Sequence, residues 1–257
     1  MHKKGAQKGD ANMSDESILK LRDLLANSRR AVFFGGAGVS TESGIPDFRS
    51  TDGLYHQQWR YPPETILSHD FFVSRTEEFY DFYRKKMLFP DVKPNAAHLA
   101  LAELEGRGIL SAVITQNIDG LHQAAGSKNV IELHGSVLRN RCTRCGRAFT
   151  MQDILDTSGI PKCPCGGVIK PDVVLYGEQL PAEAIEDALD FISRADLLII
   201  GGTSLAVYPA AGFVQGFSGP LVIINRSATP MDRRADLLIS RPIGETLAAV
   251  MAALDEK

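Results

Sequence analysis

Apolar positions in this chain fall into short runs separated by stretches of helical periodicity, and that alternation limits the folds open to it. Ile18, Leu21, Leu24 and Leu25 recur at helical spacing, with Ser14 as an N-cap and with Asp15 and Glu16 near the positive end of the helix dipole. The spacing predicts a helix from Ser14 to Asn27. Ala31-Val32-Phe33-Phe34 then reads as a buried strand entering Gly35-Gly36-Ala37-Gly38-Val39-Ser40, the way a phosphate-binding turn begins in a doubly wound sheet. Further short strands are expected at 112–115, 130–133, 172–176, 197–200, 221–224 and 237–239, with helices over 96–105 and 182–193. Short apolar strands alternating with helices imply an α/β fold whose sheet is mostly parallel and covered on both faces. Residues 50–95 break the rhythm. They are dense in aromatics such as Trp59, Phe71, Phe79, Tyr80, Phe82 and Tyr83, and read as a small helical insertion.

A length of 257 residues suits one large domain with an insert. At 44% hydrophobic and 23% charged, the chain has the composition of an ordinary globular protein rather than a disordered or fibrous one. The net charge of -3 supplies no broad positive field, so direct nucleic-acid binding is not expected. The apolar run around Leu197-Leu198-Ile199-Ile200 is far shorter than the roughly 20 residues that cross a bilayer, so no membrane partner is expected. Residues 1–13 lack the apolar stretch of a secretory signal and are read as a flexible leader, which points to a cytoplasmic protein; a monomer is expected.

All four cysteines lie in one segment, Cys142-x-x-Cys145 followed after seventeen residues by Cys163-x-Cys165, with Gly146, Gly166 and Gly167 beside them. Two such knuckles can bring four thiolates into a tetrahedron around zinc, which makes a structural site because no position stays open for water. Two disulfides or four unrelated buried thiols are the competing readings; disulfides require an oxidising compartment.

Gly36-Ala37-Gly38-Val39-Ser40-Thr41 departs from the usual dinucleotide fingerprint, because Thr41 stands at the third glycine position. By itself this is a weak motif, equally readable as a tight turn without a ligand. It continues, however, as Glu42-Ser43-Gly44-Ile45-Pro46-Asp47-Phe48-Arg49-Ser50. Downstream stand Thr115-Gln116-Asn117-Ile118-Asp119-Gly120-Leu121-His122, Glu132-Leu133-His134-Gly135, the four cysteines, Val173-Val174-Leu175-Tyr176-Gly177-Glu178, Gly202-Thr203-Ser204-Leu205 and Ile224-Asn225-Arg226-Ser227. In this ordered set, spread over residues 14 to 250, the chain resembles the sirtuin family.

The resemblance implies a Rossmann-like, doubly wound NAD domain at about 14–50, 95–135 and 171–257. It also implies a smaller domain made of the helical insertion (51–94) and a zinc-ribbon module (136–170), all within one catalytic domain over 14–257. The activity implied is NAD-dependent protein-lysine deacetylation, in which the acyl group passes to ADP-ribose and nicotinamide leaves. His134 is the implied general base, an assignment that imidazole chemistry suits near neutral pH. Asn117 would order water near the ribose, while Asp119 and the Ile118 backbone would hold the nicotinamide carboxamide. Gly36, Ala37, Gly38, Thr41, Asp47, Phe48 and Arg49 would line the NAD loop, with Phe48 shielding the reacting carbon. Gln116 would face the ribose; Gly202, Thr203, Ser204 and Asn225 would hold the adenosine half, and Ile243 would close the adenine pocket.

An extended acyl-lysine peptide would pair with the segment of Val174, Tyr176, Gly177 and Glu178 on one side and Leu205 and Val207 on the other. Relatives that prefer acidic acyl groups carry Tyr-x-x-Arg in the helical insertion. Here Tyr80 is followed at that spacing by Tyr83, and the arginine is displaced to Arg84, so short neutral acyl groups are expected. His122 is expected to pack or hydrogen-bond behind the Asn117-Ile118-Asp119 loop. Rival functions are protein mono-ADP-ribosyl transfer, which would use the same NAD pocket, and a zinc-ribbon binding module with a vestigial nucleotide site.

Overall fold

The computed structural model describes residues 7–47, 53 and 59–256, with the backbone alone for 7–15. In chain order the elements are α1 (Gln7–Asn27), β1 (Ala31–Gly35), α2 (Pro63–Ile66), α3 (His69–Ser74), α4 (Thr76–Lys86), α5 (Ala96–Gly106), β2 (Leu110–Thr115), α6 (Leu121–Ala124) and β3 (Val130–Glu132). There follow β4 (Gly135–Cys142), β5 (Ala148–Thr150), α7 (Met151–Leu155), β6 (Ile169–Val173), α8 (Ala182–Arg194), β7 (Leu197–Gly201), α9 (Ala210–Phe213), β8 (Leu221–Ile224), β9 (Leu237–Ile239) and α10 (Ile243–Asp255).

Six of the strands form one sheet in the order β3-β2-β1-β7-β8-β9, and every neighbouring pair is parallel. Successive strand residues point to opposite faces, and two cores result. Ala31 and Phe33 join Val113, Ile199 and Val222 under α1, α5 and α10, whereas Val32 and Phe34 join Ala112, Ile114, Leu198 and Ile200 under α8 and α9. Burial on both sides explains why these strands read as continuous apolar runs. From β1 the chain passes to β2 on one side and later returns as β7 on the other, so the sheet order reverses between β1 and β7. Doubly wound sheets bind their ligands at such a switch point, in the crevice outside the carboxyl ends of the strands.

A second sheet, β5-β4-β6, is antiparallel and carries the cysteines. The aromatics of the insertion pack onto it: Phe71, Phe79, Tyr80 and Tyr83 share a cluster with Val137, Ile154, Ile169, Val173 and the buried Cys142 and Cys163. Insertion and cysteine module therefore make one small domain.

Two expectations need correction. The first helix begins at Gln7, ahead of Ser14, so residues 7–13 of the expected flexible leader are helical, and residues 1–6 lie outside the described residues. No proline stands between Gln7 and Ser14 to stop the helix. The strand expected at 172–176 in the parallel sheet is instead β6 of the small sheet, with Ile169, Pro171 and Val173 buried and Lys170 and Asp172 half-buried, the alternation of an antiparallel strand.

Candidate active site

At the end of β1 the chain turns through two short 3-10 segments, Ala37–Val39 and Thr41–Ser43. The Gly38 N–H donates to the Gly202 carbonyl at 2.8 Å. A Cβ on Gly38 would lie 2.8 Å from the Gly202 Cα, so glycine is required for the loop after β1 to touch the loop after β7. The Gly36 N–H reaches the Gly201 carbonyl at 3.2 Å, and the Thr41 hydroxyl closes the turn on the Gly38 carbonyl at 3.0 Å. Glu42 accepts the Gly244 N–H at 2.9 Å and so ties this loop to the start of α10, where Ile243 is buried in the first core. Gly36, Ala37, Gly38, Thr41, Gly202, Thr203 and Ile243 thus belong to one edge of the crevice. Glycines at the carboxyl ends of two diverging parallel strands carry no side chain to keep a pyrophosphate from the backbone, so the residues present fit a dinucleotide.

The opposite wall follows β2. Gln116 Nε2 donates to the Thr203 hydroxyl at 3.1 Å, bringing that wall onto the β7 loop. Asn117, nearly fully buried, donates through Nδ2 to Ser40 Oγ at 3.0 Å, and Ser40 in turn donates to Asp119 Oδ2 at 2.6 Å. The other Asp119 oxygen accepts the Leu121 N–H at 2.9 Å. The Ile118 carbonyl is bound by the Val137 N–H at 2.9 Å, which anchors the loop to β4. Asp47 and Ser204 are half-buried at the loop ends, whereas Asn225 bonds within its own turn, to the Ser227 carbonyl at 2.7 Å. Phe48 and Arg49 lie outside the described residues.

His134 sits between β3 and β4. Its Nδ1 lies 2.9 Å from the Gln116 carbonyl, which can only accept, so the proton of the neutral ring is on Nδ1 and Nε2 keeps its lone pair. Burial lowers the ring's pKa, and the Gln116 hydrogen bond opposes part of that shift. Its backbone carbonyl accepts the Val174 N–H at 3.0 Å, so one residue links the nucleotide wall to the loop expected to bind peptide. In that loop Tyr176 is exposed, Gly177 has φ +89°, and the Glu178 carboxylate turns inward. Across the crevice Leu205 is buried at φ +52°, a conformation rare for leucine, with its N–H on the Thr203 hydroxyl at 3.2 Å, and Val207 is half-buried.

The four cysteine sulfurs all lie within 4.8 Å of one another, with Cys142 to Cys165 at 3.5 Å and Cys145 to Cys163 at 3.6 Å. Bonds of about 2.3 Å to a tetrahedral zinc put sulfurs about 3.8 Å apart, so the set fits a structural zinc. These spacings are far too long for a disulfide of about 2.05 Å.

Ser40, which bridges Asn117 and Asp119, lies within the glycine-loop motif, and the motif alone does not single it out. A small hydroxyl directly after a glycine turn was the signal available. His122 is buried against His98, ring centroids 4.7 Å apart, and against Phe33 at 6.3 Å; it packs behind the loop, and its ring nitrogens make no hydrogen bond among the described residues.

Comparison with known proteins converges on one group. Residues 36–209 match the profile of the Sir2 family. A Clostridium acetobutylicum protein named NAD-dependent protein deacetylase is 56% identical over 241 residues, covering 92% of this chain and 98% of that protein. A Sulfurisphaera tokodaii protein of the same name is 46% identical over 90% of this chain and 94% of its own. A Sir2 structure with a deacetylated p53 peptide and 3′-O-acetyl ADP-ribose superposes with TM-score 0.85 at 44% identity, over 92% of this chain and 98% of that one. A Sir2 complex with p53 peptide and NAD+ gives 0.82 at 44% identity, over 93% and 98%.

Proposed function

The chain belongs to the Sir2 family, and from that membership we infer that it is an NAD-dependent protein-lysine deacetylase. The acyl group of an acyl-lysine passes to ADP-ribose, with release of nicotinamide and free lysine. NAD supplies the ribose carbon that the acyl oxygen attacks and the nicotinamide that leaves. The observation that carries the reading is His134, whose ring is held neutral with Nε2 free while its carbonyl fixes the start of the peptide loop.

In this reading the glycine turn, with Ala37 and Thr41, holds the pyrophosphate. Gln116 faces the ribose, and Gly202, Thr203, Ser204, Asn225 and Ile243 hold the adenosine end. Asp47, Phe48 and Arg49 are assigned to the NAD loop by the family resemblance. Asn117 and Asp119, clamped on Ser40, present fixed polar groups to the nicotinamide ribose and carboxamide, where preorganised dipoles stabilise developing charge without rearrangement. His134 Nε2 takes a proton from a ribose hydroxyl. The zinc is structural, since four cysteines leave it no open position.

The acyl pocket is assigned to acetyl rather than succinyl or malonyl groups. The Tyr80 hydroxyl is engaged by the Ile169 carbonyl. Arg84 bonds the Ile154 carbonyl at 3.0 Å and the Thr157 hydroxyl at 2.9 Å, with its guanidinium 5.2 Å from the Tyr80 ring centre. Both groups are spent on the small domain, and a buried carboxylate without such partners loses hydration uncompensated. The protein is further assigned as a cytoplasmic monomer acting without direct contact to nucleic acid. The net charge of -3 supports the absence of nucleic-acid contact, cysteines spaced for zinc rather than for disulfides suit a reducing compartment, and gel filtration tests the monomer. No helix among the described residues is long and apolar enough to cross a membrane.

Incubation of an acetyl-lysine peptide with and without NAD, followed by mass spectrometry, tests the activity. Deacetylated peptide and nicotinamide are expected in equal amounts and only with NAD. ADP-ribose attached to a protein as the main product would move the assignment to mono-ADP-ribosyl transfer.

A further inference from the structure

The segment assigned to the acyl-lysine peptide owes its shape to groups outside it. The Glu178 N–H donates to the Leu175 carbonyl at 2.9 Å, and Gly177 stands third in this four-residue turn at φ +89°, as a type II turn requires. The Glu178 side chain folds back and accepts the Leu175 N–H on Oε2 at 2.9 Å, so the turn is closed twice. The same oxygen accepts from Lys170 Nζ at 3.1 Å, on β6 of the cysteine module, and Oε1 accepts from His69 Nδ1 at 2.8 Å, on the first residue of α3. Lys170 Nζ also bonds the Val173 carbonyl at 3.1 Å. The insertion reaches the loop again through its backbone: the Tyr176 N–H bonds the Leu67 carbonyl, and the His69 N–H bonds the Tyr176 carbonyl, both at 2.9 Å.

We propose that Glu178 is a positioning residue for substrate binding: clamped by Lys170 and His69, it sets the turn over 175–178 against which the acyl-lysine peptide pairs. The cysteine module and the insertion thereby act on peptide binding through one carboxylate. This rests on the deacetylase reading above. Both Glu178 oxygens are engaged within the protein, so the side chain affects the peptide through the loop it shapes and not by touching it. Lys170 and Glu178 are half-buried, at 22% and 21% side-chain exposure, which shields the pair from the screening that weakens surface ion pairs. Burial works against the Glu178 charge, but the Leu175 N–H, His69 and Lys170 outweigh it and hold its carboxyl below the ordinary range.

The test uses the full zinc-loaded chain. Binding of a fluorescent acetyl-lysine peptide is measured by anisotropy without NAD, and KM for peptide and for NAD are measured at steady state. Lys170→Met and Glu178→Gln should each weaken peptide binding about tenfold, the loss of one charge-assisted bond. The double variant should be no weaker than the weaker single one, because both changes break the same clamp. Lys170→Arg should restore binding to within about twofold, and KM for NAD should move by less than about twofold throughout. Wild-type binding in Lys170→Met, multiplying losses in the double variant, or a parallel rise in KM for NAD would each overturn the proposal. If Lys170→Met or Glu178→Gln fails to fold, His69→Ala at its exposed position carries the test. Weaker peptide binding with unchanged KM for NAD supports the clamp, and unchanged peptide binding overturns it. Failure of the unaltered chain to deacetylate would refute the activity instead, and the NAD-free binding measurement keeps the two failures apart.

Discussion

At His134 the proton of the neutral ring sits on Nδ1 because a carbonyl faces it at 2.9 Å, and the reactive lone pair is left on Nε2. Replacing this residue by alanine is expected to lower deacetylation by about 10²-fold or more, the range of general-base catalysis, while NAD titrates normally. Near-normal turnover would remove the assignment. Because burial depresses the ring's pKa, the base stays deprotonated to below the ordinary histidine value of about 6.5. The acid limb of kcat/KM should therefore have its midpoint under that value, and a midpoint above about 7 would place the base on another group. The acyl pocket gives a second residue-scale test. With Tyr80 and Arg84 both committed elsewhere, kcat/KM for an acetyl-lysine peptide should exceed that for its succinyl form, and the reverse order would require Arg84 to leave its Ile154 and Thr157 partners. His134 was legible because it stands in a motif of contiguous residues. Lys170 and His69 were not, since they meet Glu178 only after three separate segments have folded together.

Among the elements, the parallel strands were the most readable. Each is buried on both faces, so Leu197-Leu198-Ile199-Ile200 and its counterparts stand out as apolar runs. The small sheet was hidden for the opposite reason. In β4 the register slips between Ser136 and Asn140, which breaks the two-residue alternation by which an antiparallel strand is recognised. That sheet is expected to depend on the zinc its cysteines fit. Cys142 and Cys163 are buried in the same cluster as Phe79 and Tyr83, so losing zinc should loosen the insertion as well as the knuckles. Freshly purified protein should contain one zinc per chain, and Cys145→Ser should lose the metal and expose the small domain to protease. Well under one zinc, or full stability in that variant, would contradict the site.

The helices α5 and α6 carry a different liability, the pair His98 and His122, which are buried neutral with pKa values lowered by desolvation to about 4 and about 3. The unfolded chain binds these protons below about 6.5 and the folded chain does not, so stability is full above that value and falls as pH drops toward 4. Each group adds a slope of up to about 1.4 kcal/mol per pH unit. Urea midpoints should drop markedly between pH 7.5 and pH 5, and less steeply in His122→Phe; a midpoint independent of pH would show that neither ring titrates on unfolding.

Over the whole molecule, the switch point between β1 and β7 opens the crevice, and the small domain reaches it through the Val137 bond to Ile118 and the Val174 bond to His134. The proposed nucleotide wall, base and peptide loop are therefore joined by backbone hydrogen bonds rather than by side-chain contacts alone. The architecture was readable as α/β alternation, and the two-domain arrangement came only through family resemblance, because nothing in local pattern tells the aromatics of 50–95 to cover the cysteine module. What this geometry is built to do is move an acyl group from lysine to ADP-ribose, and a peptide carrying an isotope-labelled acetyl group reads that transfer directly. Quenched early, the reaction should show the label on ADP-ribose, in an amount equal to the nicotinamide released. Label appearing first as free acetate, or unlabelled ADP-ribose accumulating on protein while the peptide keeps its acetyl group, would contradict the account.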